Sequence, residues 1–153
     1  MPKDMSIKEF QETLQRNASH VPDALEKAIK SCCKKVQDDI WVSMAKTQVD
    51  SSKSYYKNNA RIAHHPSLPG HPPAVDSGNL RESINYEVHN EKKEVYGIVG
   101  STQKDPDYAV WMEYGTSRIA PRPWLSPAMQ KNNAFIRTQL KNAVERTMKE
   151  GVN

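Results

Sequence analysis

Three histidines, His64, His65 and His71, lie close together in one proline-rich stretch and form the chain's only candidate metal cluster. Their pattern, His-His-x5-His, matches no closed zinc spacing, which requires paired cysteines or a His-Glu-x-x-His helix. Neither a metal nor any other cofactor is expected. Cys32 and Cys33 are adjacent in a segment that reads as helix, where neighbouring side chains point roughly 100° apart and cannot be bridged without breaking the turn. With no C-x-x-C spacing, they read as one buried thiol beside a less buried one. Glu113 is the only acid in an aromatic and apolar stretch, so its carboxylate needs a cation or backbone donors; Arg81 and Arg122 are the candidate mates, within the chain or across a subunit boundary. No second acid or base accompanies it at catalytic spacing, and no P-loop, G-x-S-x-G or G-x-G-x-x-G occurs. The chain reads as a non-enzyme.

The elements that position these residues follow from periodicity. Ser6 and Glu9 fit a capping box, with Ile7, Phe10 and Leu14 on one face, which predicts a short helix over 7–18 within an N-terminal segment 1–20. Pro22 suits the first turn of a second helix over about 22–48, where Leu25, Ile29, Val36, Ile40 and Met44 recur at three- and four-residue steps. Periodicity then disappears over 51–76, a stretch with four of the ten prolines between His64 and Pro73, which predicts a long flexible arm. Ile84, Tyr86 and Val88 alternate, as do Val95, Gly97 and Val99, giving a β-hairpin over 83–100 that turns at Asn90-Glu91-Lys92-Lys93. Between Asp105-Pro106 and Gly115 a helix is favoured, although Tyr108, Val110, Met112 and Tyr114 also alternate as a strand would. Ser126 as cap and Pro127 in the first turn begin a last helix over about 126–150. The fold class is therefore α+β, a small antiparallel sheet packed against a long N-terminal and a long C-terminal helix, in a single domain over 1–153.

Length permits one core without disulfide help. Hydrophobic residues make up 37% and charged ones 26%, with a mean hydropathy of −0.81, so much of the chain must be solvated. No run is apolar enough to span a membrane and the N-terminus lacks a signal-peptide core, so no membrane partner is expected and synthesis is placed in a cytoplasm. The formal charge of +4 is uneven. Residues 51–75 carry Lys53, Lys57 and Arg61 with no acid, and Lys131, Arg137, Lys141, Arg146 and Lys149 crowd the last helix against Glu145 and Glu150. Such asymmetry suits an acidic protein or a passing polyanion.

Three phrases carry shape rather than catalysis. Asp76-Ser77-Gly78 is a corner whose side chains accept from nearby backbone amides while Gly supplies the backbone angle, aiming Leu80 inward and Arg81 outward. In Tyr108-Ala109-x-x-x-Glu113-Tyr114-Gly115-Thr116, Gly115 stops the helix and Thr116 caps the following loop. In Pro121-Arg122-Pro123-Trp124-Leu125-x-Pro127 the prolines stiffen the backbone, so Arg122 and Trp124 are ready interface anchors, and Trp124 equally suits a core position pinning the last helix.

In that order the phrases resemble the tail-completion (head–tail joining) proteins of long-tailed bacteriophages, whose phrases read approximately Val-Asp-Thr-Gly-x-Leu-Arg-x-Ser-Ile, Tyr-Ala-x-x-x-Glu-Phe-Gly-Thr and Pro-x-Pro-Phe-Leu-x-Pro-Ala. Val75, Asp76, Gly78, Leu80, Arg81, Ser83 and Ile84 match the first, Tyr108, Ala109, Glu113, Gly115 and Thr116 the second, and Pro121, Pro123, Leu125, Pro127 and Ala128 the third. Ser77, Tyr114 and Trp124 replace Thr, Phe and Phe. The resemblance covers about Pro66 to Met148. It implies a virion protein at the neck, assembled in the host bacterial cytoplasm, forming a ring with copies of itself. Sixfold symmetry is the first expectation and twelvefold the alternative. Neighbouring neck and tail-tube proteins would be its partners, with DNA as cargo passing through the lumen. Interface candidates are Arg81, Glu113, Tyr114, Arg122, Trp124, Lys53, Tyr55, Tyr56, Lys57 and Arg61. The alternative from a different class is a basic nucleic-acid-binding protein, resting on the arm and the last helix, without any helix-turn-helix or zinc spacing to support it.

Overall fold

A computed structural model describes residues 6–56, 63–91, 94–102 and 106–150. Lys57, Arg61, the turn residues Lys92 and Lys93, and Asp105 lie outside the described residues. The order is α1 (Ile7–Ala45), α2 (Asn79–Ser83), β1 (Ile84–Glu91), β2 (Glu94–Ser101), α3 (Pro106–Tyr114) and α4 (Ser126–Lys149). The fold is α+β: β1 and β2 form a two-stranded antiparallel sheet, and helix accounts for most of the rest. The segment over 107–114, which alternation left open to strand, is helix.

The N-terminus departs from expectation. The two helices read over 7–18 and 22–48 are a single α-helix with Pro22 inside it. A proline in a helix interior removes one backbone donor and crowds the preceding turn. Here that loss is tolerated within a helix of 39 residues whose other bonds continue on both sides. The capping box forms as read: Ser6 N donates to Glu9 Oε2 at 2.9 Å, and Glu9 N donates to Ser6 Oγ at 3.3 Å.

Two compact units divide the fold: Met1–Lys34 with Glu87–Ile98 and Asn133–Asn153, and Lys35–Tyr86 with Val99–Asn132. α1, β1, β2 and α4 each contribute to both.

In the first unit, α1 approaches β2 at Gly97. A Cβ built there would lie 2.5 Å from Cys33 Sγ and 2.6 Å from Ile29 Cγ2, so only glycine allows this approach. Both thiols are buried, Cys32 as well as Cys33, and burial pushes both up from the ordinary thiol value. Asn17, 5% exposed, closes the C-terminus of α4: its Nδ2 donates to the carbonyls of Met148 at 3.2 Å and Glu150 at 2.6 Å, acceptors that a helix end leaves orphaned. Asn90 Nδ2 donates to Glu26 Oε2 at 2.8 Å.

In the second unit the core is Val36, Ile40, Met44, Leu80, Ile84, Ala109, Met112, Trp124 and Ala128. Gln37 Nε2 donates to the Ile84 carbonyl at 2.7 Å, fixing the start of β1 on α1. Asp39, its side chain 12% exposed, receives Lys35 Nζ at 2.7 Å, Asn132 Nδ2 at 2.8 Å and Lys131 Nζ at 3.2 Å, tying α1 to the first turns of α4. Burial alone would raise its carboxyl, but these donors hold it at about 2.

The stretch expected as a flexible arm is tied down along its described flanks. Asp50 N donates to the Pro66 carbonyl at 2.7 Å, Leu68 N to Gln48 O at 2.9 Å, and Tyr55 and His64 exchange backbone bonds at 3.0 and 2.9 Å. The two flanks therefore pair antiparallel at Val49 with Ser67 and at Tyr55 with His64. Composition hid this pairing because its bonds come from the backbone, which polar and proline-flanked residues supply as well as apolar ones.

Gly97→Val should destabilise the protein by about 1–3 kcal/mol by forcing Cys33 and Ile29 apart. Gly100→Ala, where a Cβ meets nothing within 4 Å, should leave the melting temperature close to that of the parent. Thermal unfolding of both variants checks the contrast.

Candidate functional site

The three phrases come together in the second unit around one carboxylate. α3 ends because Gly115 takes a φ of 74°, a left-handed angle that favours glycine, and a Cβ there would lie 2.7 Å from the Ile119 carbonyl. The chain then doubles back along α3. Thr116 caps this loop as read, its Oγ1 accepting from the amides of Arg118 at 3.2 Å and Ile119 at 3.0 Å. Arg122 N donates to the Met112 carbonyl at 2.6 Å, satisfying an orphan acceptor at the end of α3.

Glu113 is 7% exposed and faces the start of α4. Its Oε2 accepts from the amides of Trp124 at 2.8 Å and Leu125 at 2.9 Å. Its Oε1 accepts from the amide of Ser126 at 2.9 Å and also from the Ser126 hydroxyl. A carboxylate has about four lone-pair sites, so all of its accepting capacity is spent. Burial pushes the carboxyl up, but the Ser126 hydroxyl and the amides of Leu125, Trp124 and Ser126 together hold it below the ordinary carboxylate value. With no lone pair to spare and a low pKa, Glu113 is unsuited to proton transfer and well suited to capping a helix N-terminus.

Several expectations are corrected here. Ser126, read as the cap of the last helix, donates rather than accepts, because a full negative charge at a helix start competes better for the amides than a neutral hydroxyl does. Within the chain, neither Arg81 nor Arg122 is the mate of Glu113. The Arg81 guanidinium lies over the Trp41 ring, 5.8 Å from its centroid. Arg122 donates through Nε to the Ser67 carbonyl at 3.1 Å and through Nη1 to the Ala120 carbonyl at 3.2 Å, so it anchors the arm rather than projecting from the surface. Trp124 takes the core position: it is 4% exposed and its indole donates to the Ala109 carbonyl at 3.0 Å.

The Asp76-Ser77-Gly78 corner forms with Gly78 at a φ of 85°, Leu80 buried behind it, and Ser77 Oγ accepting from Asn79 N at 3.4 Å. Asp76 makes longer-range bonds than local turn chemistry suggests. Its Oδ2 accepts from the Tyr55 hydroxyl at 3.3 Å and its Oδ1 faces His64 Nδ1 at 3.2 Å, with the Tyr55 and His64 rings 5.9 Å apart. Burial and the Asp76 charge both push the Tyr55 phenol up, which keeps it a donor. A cleft of about 850 Å³ opens beside the corner, lined by Asp76, Arg81, Glu82 and Met44 and, from α3, by Tyr108 and Trp111.

The three histidines are not brought together. His64 meets Asp76, His65 Nδ1 meets the Lys53 carbonyl at 2.8 Å, and His71 Nε2 meets Gln48 Oε1 at 3.2 Å. Among the described residues no group of three His, Cys, Asp or Glu side chains could hold a metal. Of the other interface candidates, Tyr55, Tyr56 and Tyr114 are exposed, and Lys53 is paired with Asp50 at 3.4 Å. Asp39, Asn132 and Gln37, each holding two segments together, escaped the sequence reading: in an amphipathic helix, a polar residue facing a partner looks like any solvated one. Pro121, Pro123 and Pro127 flank the Glu113 cap, as a stiff return segment requires.

No known protein family, curated protein or solved structure matches this chain.

Glu113→Gln should cost about 2 kcal/mol or more, since an amide group cannot accept all four donors. The depressed pKa fixes the sign of the pH dependence. The cap is fully stabilising above the ordinary carboxylate value of 4.5, and its contribution is lost as pH falls through the lower folded-state value. Melting temperature against pH should therefore fall more steeply below about pH 4.5 in the parent than in Glu113→Gln. Trp124→Ala should cost about 3–5 kcal/mol as a core truncation, against roughly 1 kcal/mol for Arg122→Ala, as measured by chemical denaturation.

Proposed function

We propose that this chain is a tail-completion protein of a long-tailed bacteriophage, a structural component of the neck that joins head to tail as a ring around the DNA channel. The observation that carries this reading is the convergence of the three family-like phrases on one unit of the fold. The second phrase supplies Glu113, the third supplies the amides it caps, and the first builds the corner and cleft against which Tyr108 and Trp111 of the second phrase stand. Residues that recur in such phrases would be kept for this joint, and the joint is architectural. Its central carboxylate is consumed by capping.

The ring is hexameric in this reading, with a dodecamer as the alternative, and its other contacts are neighbouring neck and tail-tube proteins. The virion is its final location. The competing reading as a nucleic-acid binder is weakened by where the bases lie. Lys131 and Lys35 are tied to Asp39, Lys141 and Lys149 to Glu145, and Lys53 to Asp50, leaving less free charge than the sequence count suggests. Among the described residues no helix is long and apolar enough to cross a membrane.

A phage carrying a null allele of this gene should accumulate DNA-filled heads and separate tails, visible by electron microscopy. Normal joined virions from such a mutant, or particles that lack the protein, would overturn the assignment.

A further inference from the structure

α3 is apolar around most of its circumference, but only part of that circumference is covered. At roughly 100° per residue, Ala109, Met112 and Glu113 share the inward side, and Asp107, Val110, Trp111 and Tyr114 fall on the opposite one. Val110 is 51% exposed, Trp111 42% and Tyr114 75%, with Tyr108 at 42% on the flank beside the cleft. A helix that is hydrophobic all round is ordinarily buried all round. From the usual areas of aromatic side chains, these four leave on the order of 400 Å² of apolar surface in water. That matches the apolar part of one side of a standard protein interface, roughly 57% of about 800 Å².

The charge on this face narrows the occupant. α3 carries no base, and Asp107 is its only charge besides the buried Glu113. Such a face gives phosphates nothing to bind, and it lacks the cations that hold an interfacial helix on anionic lipid. An acidic partner would find no counter-charge on α3 itself, and Arg81 at the rim is accompanied by Glu82. Copies of a chain with net charge +4 repel one another over much of their surface, so self-contact is favoured where bases are missing. α3 is the one described helix without Lys or Arg.

We infer that the face formed by Val110, Trp111 and Tyr114 docks a second copy of this chain. The contact is heterologous, meeting a different surface of that copy; this part rests on the ring reading, because a ring closes only through head-to-tail contacts. Tyr108 extends the contact toward the cleft, where Arg81 and Glu82 supply a polar rim.

The test uses the purified full chain in size-exclusion chromatography with light scattering over a concentration series. The parent should assemble, and the double variant Trp111→Asp, Tyr114→Ser should run as a monomer with unchanged circular dichroism. Val42→Asp, at an exposed position on α1, should assemble like the parent. If the double variant does not fold, Tyr114→Lys alone, at the most exposed of these positions, is read the same way. A parent that stays monomeric throughout, or a folded double variant that assembles normally, overturns the inference. Mixing the double variant into parent protein should reduce parent assembly, since it keeps the complementary surface and terminates growth; an unaffected parent overturns the heterologous contact. The two proposals fail separately. A null phage that still joins heads to tails, with a parent protein that assembles through α3, removes the neck reading and leaves the surface. A null phage blocked in joining, with a double variant that assembles normally, does the reverse.

Discussion

The second unit depends on a buried carboxylate placed at the start of a helix to which it does not belong. Glu113 sits near the end of α3 and receives the amides of Trp124, Leu125 and Ser126. Three donors that would otherwise be orphaned are satisfied, and a negative charge is set against the positive end of the α4 dipole. Moving a carboxylate out of water is costly, and only a full set of donors offsets that cost. The cap therefore fixes the whole return path from Gly115 to Ser126. Trp124 enters the core directly beside it, and Arg122 reaches the Ser67 carbonyl from the same stiff segment.

Elsewhere the fold is held by similar polar ties at element ends and crossings. Asp39 gathers two lysines and Asn132, Gln37 holds the first residue of β1, and Asn17 closes the last turn of α4. A chain with only 37% hydrophobic residues cannot rely on apolar burial alone. Each tie replaces hydration that its groups lose on folding, so each fixes geometry more than it adds net stability. Gly97 acts by subtraction, letting a strand approach a helix more closely than any side chain would permit.

This economy makes the outer face of α3 conspicuous. A protein short of apolar residues leaves Val110, Trp111 and Tyr114 in water. A contiguous apolar patch on one short helix is often functional, unlike surface hydrophobes scattered singly. The same helix thus has two roles in the proposed ring: its inward side carries the cap, and its outward side meets a neighbour.

The sequence by itself determined the α+β class, the hairpin, the last helix, the Gly115 stop, the Thr116 cap and the corner at Gly78. Each of these depends on local periodicity or on a residue whose own backbone preference decides the outcome, as with the glycines at positive φ. The unbroken α1 was not legible, because Pro22 is a sound local reason to start a helix, and continuing through it depends on bonds on both sides that a local rule does not weigh. The pairing of the arm's flanks was hidden because it is made by backbone groups distant in sequence. Glu113 was legible as a carboxylate in need of donors; its choice of the α4 amides over Arg81 or Arg122 was not. Only the tertiary structure decided that, by bringing the helix start within reach of both carboxylate oxygens and sending Arg81 to Trp41 and Arg122 to Ser67.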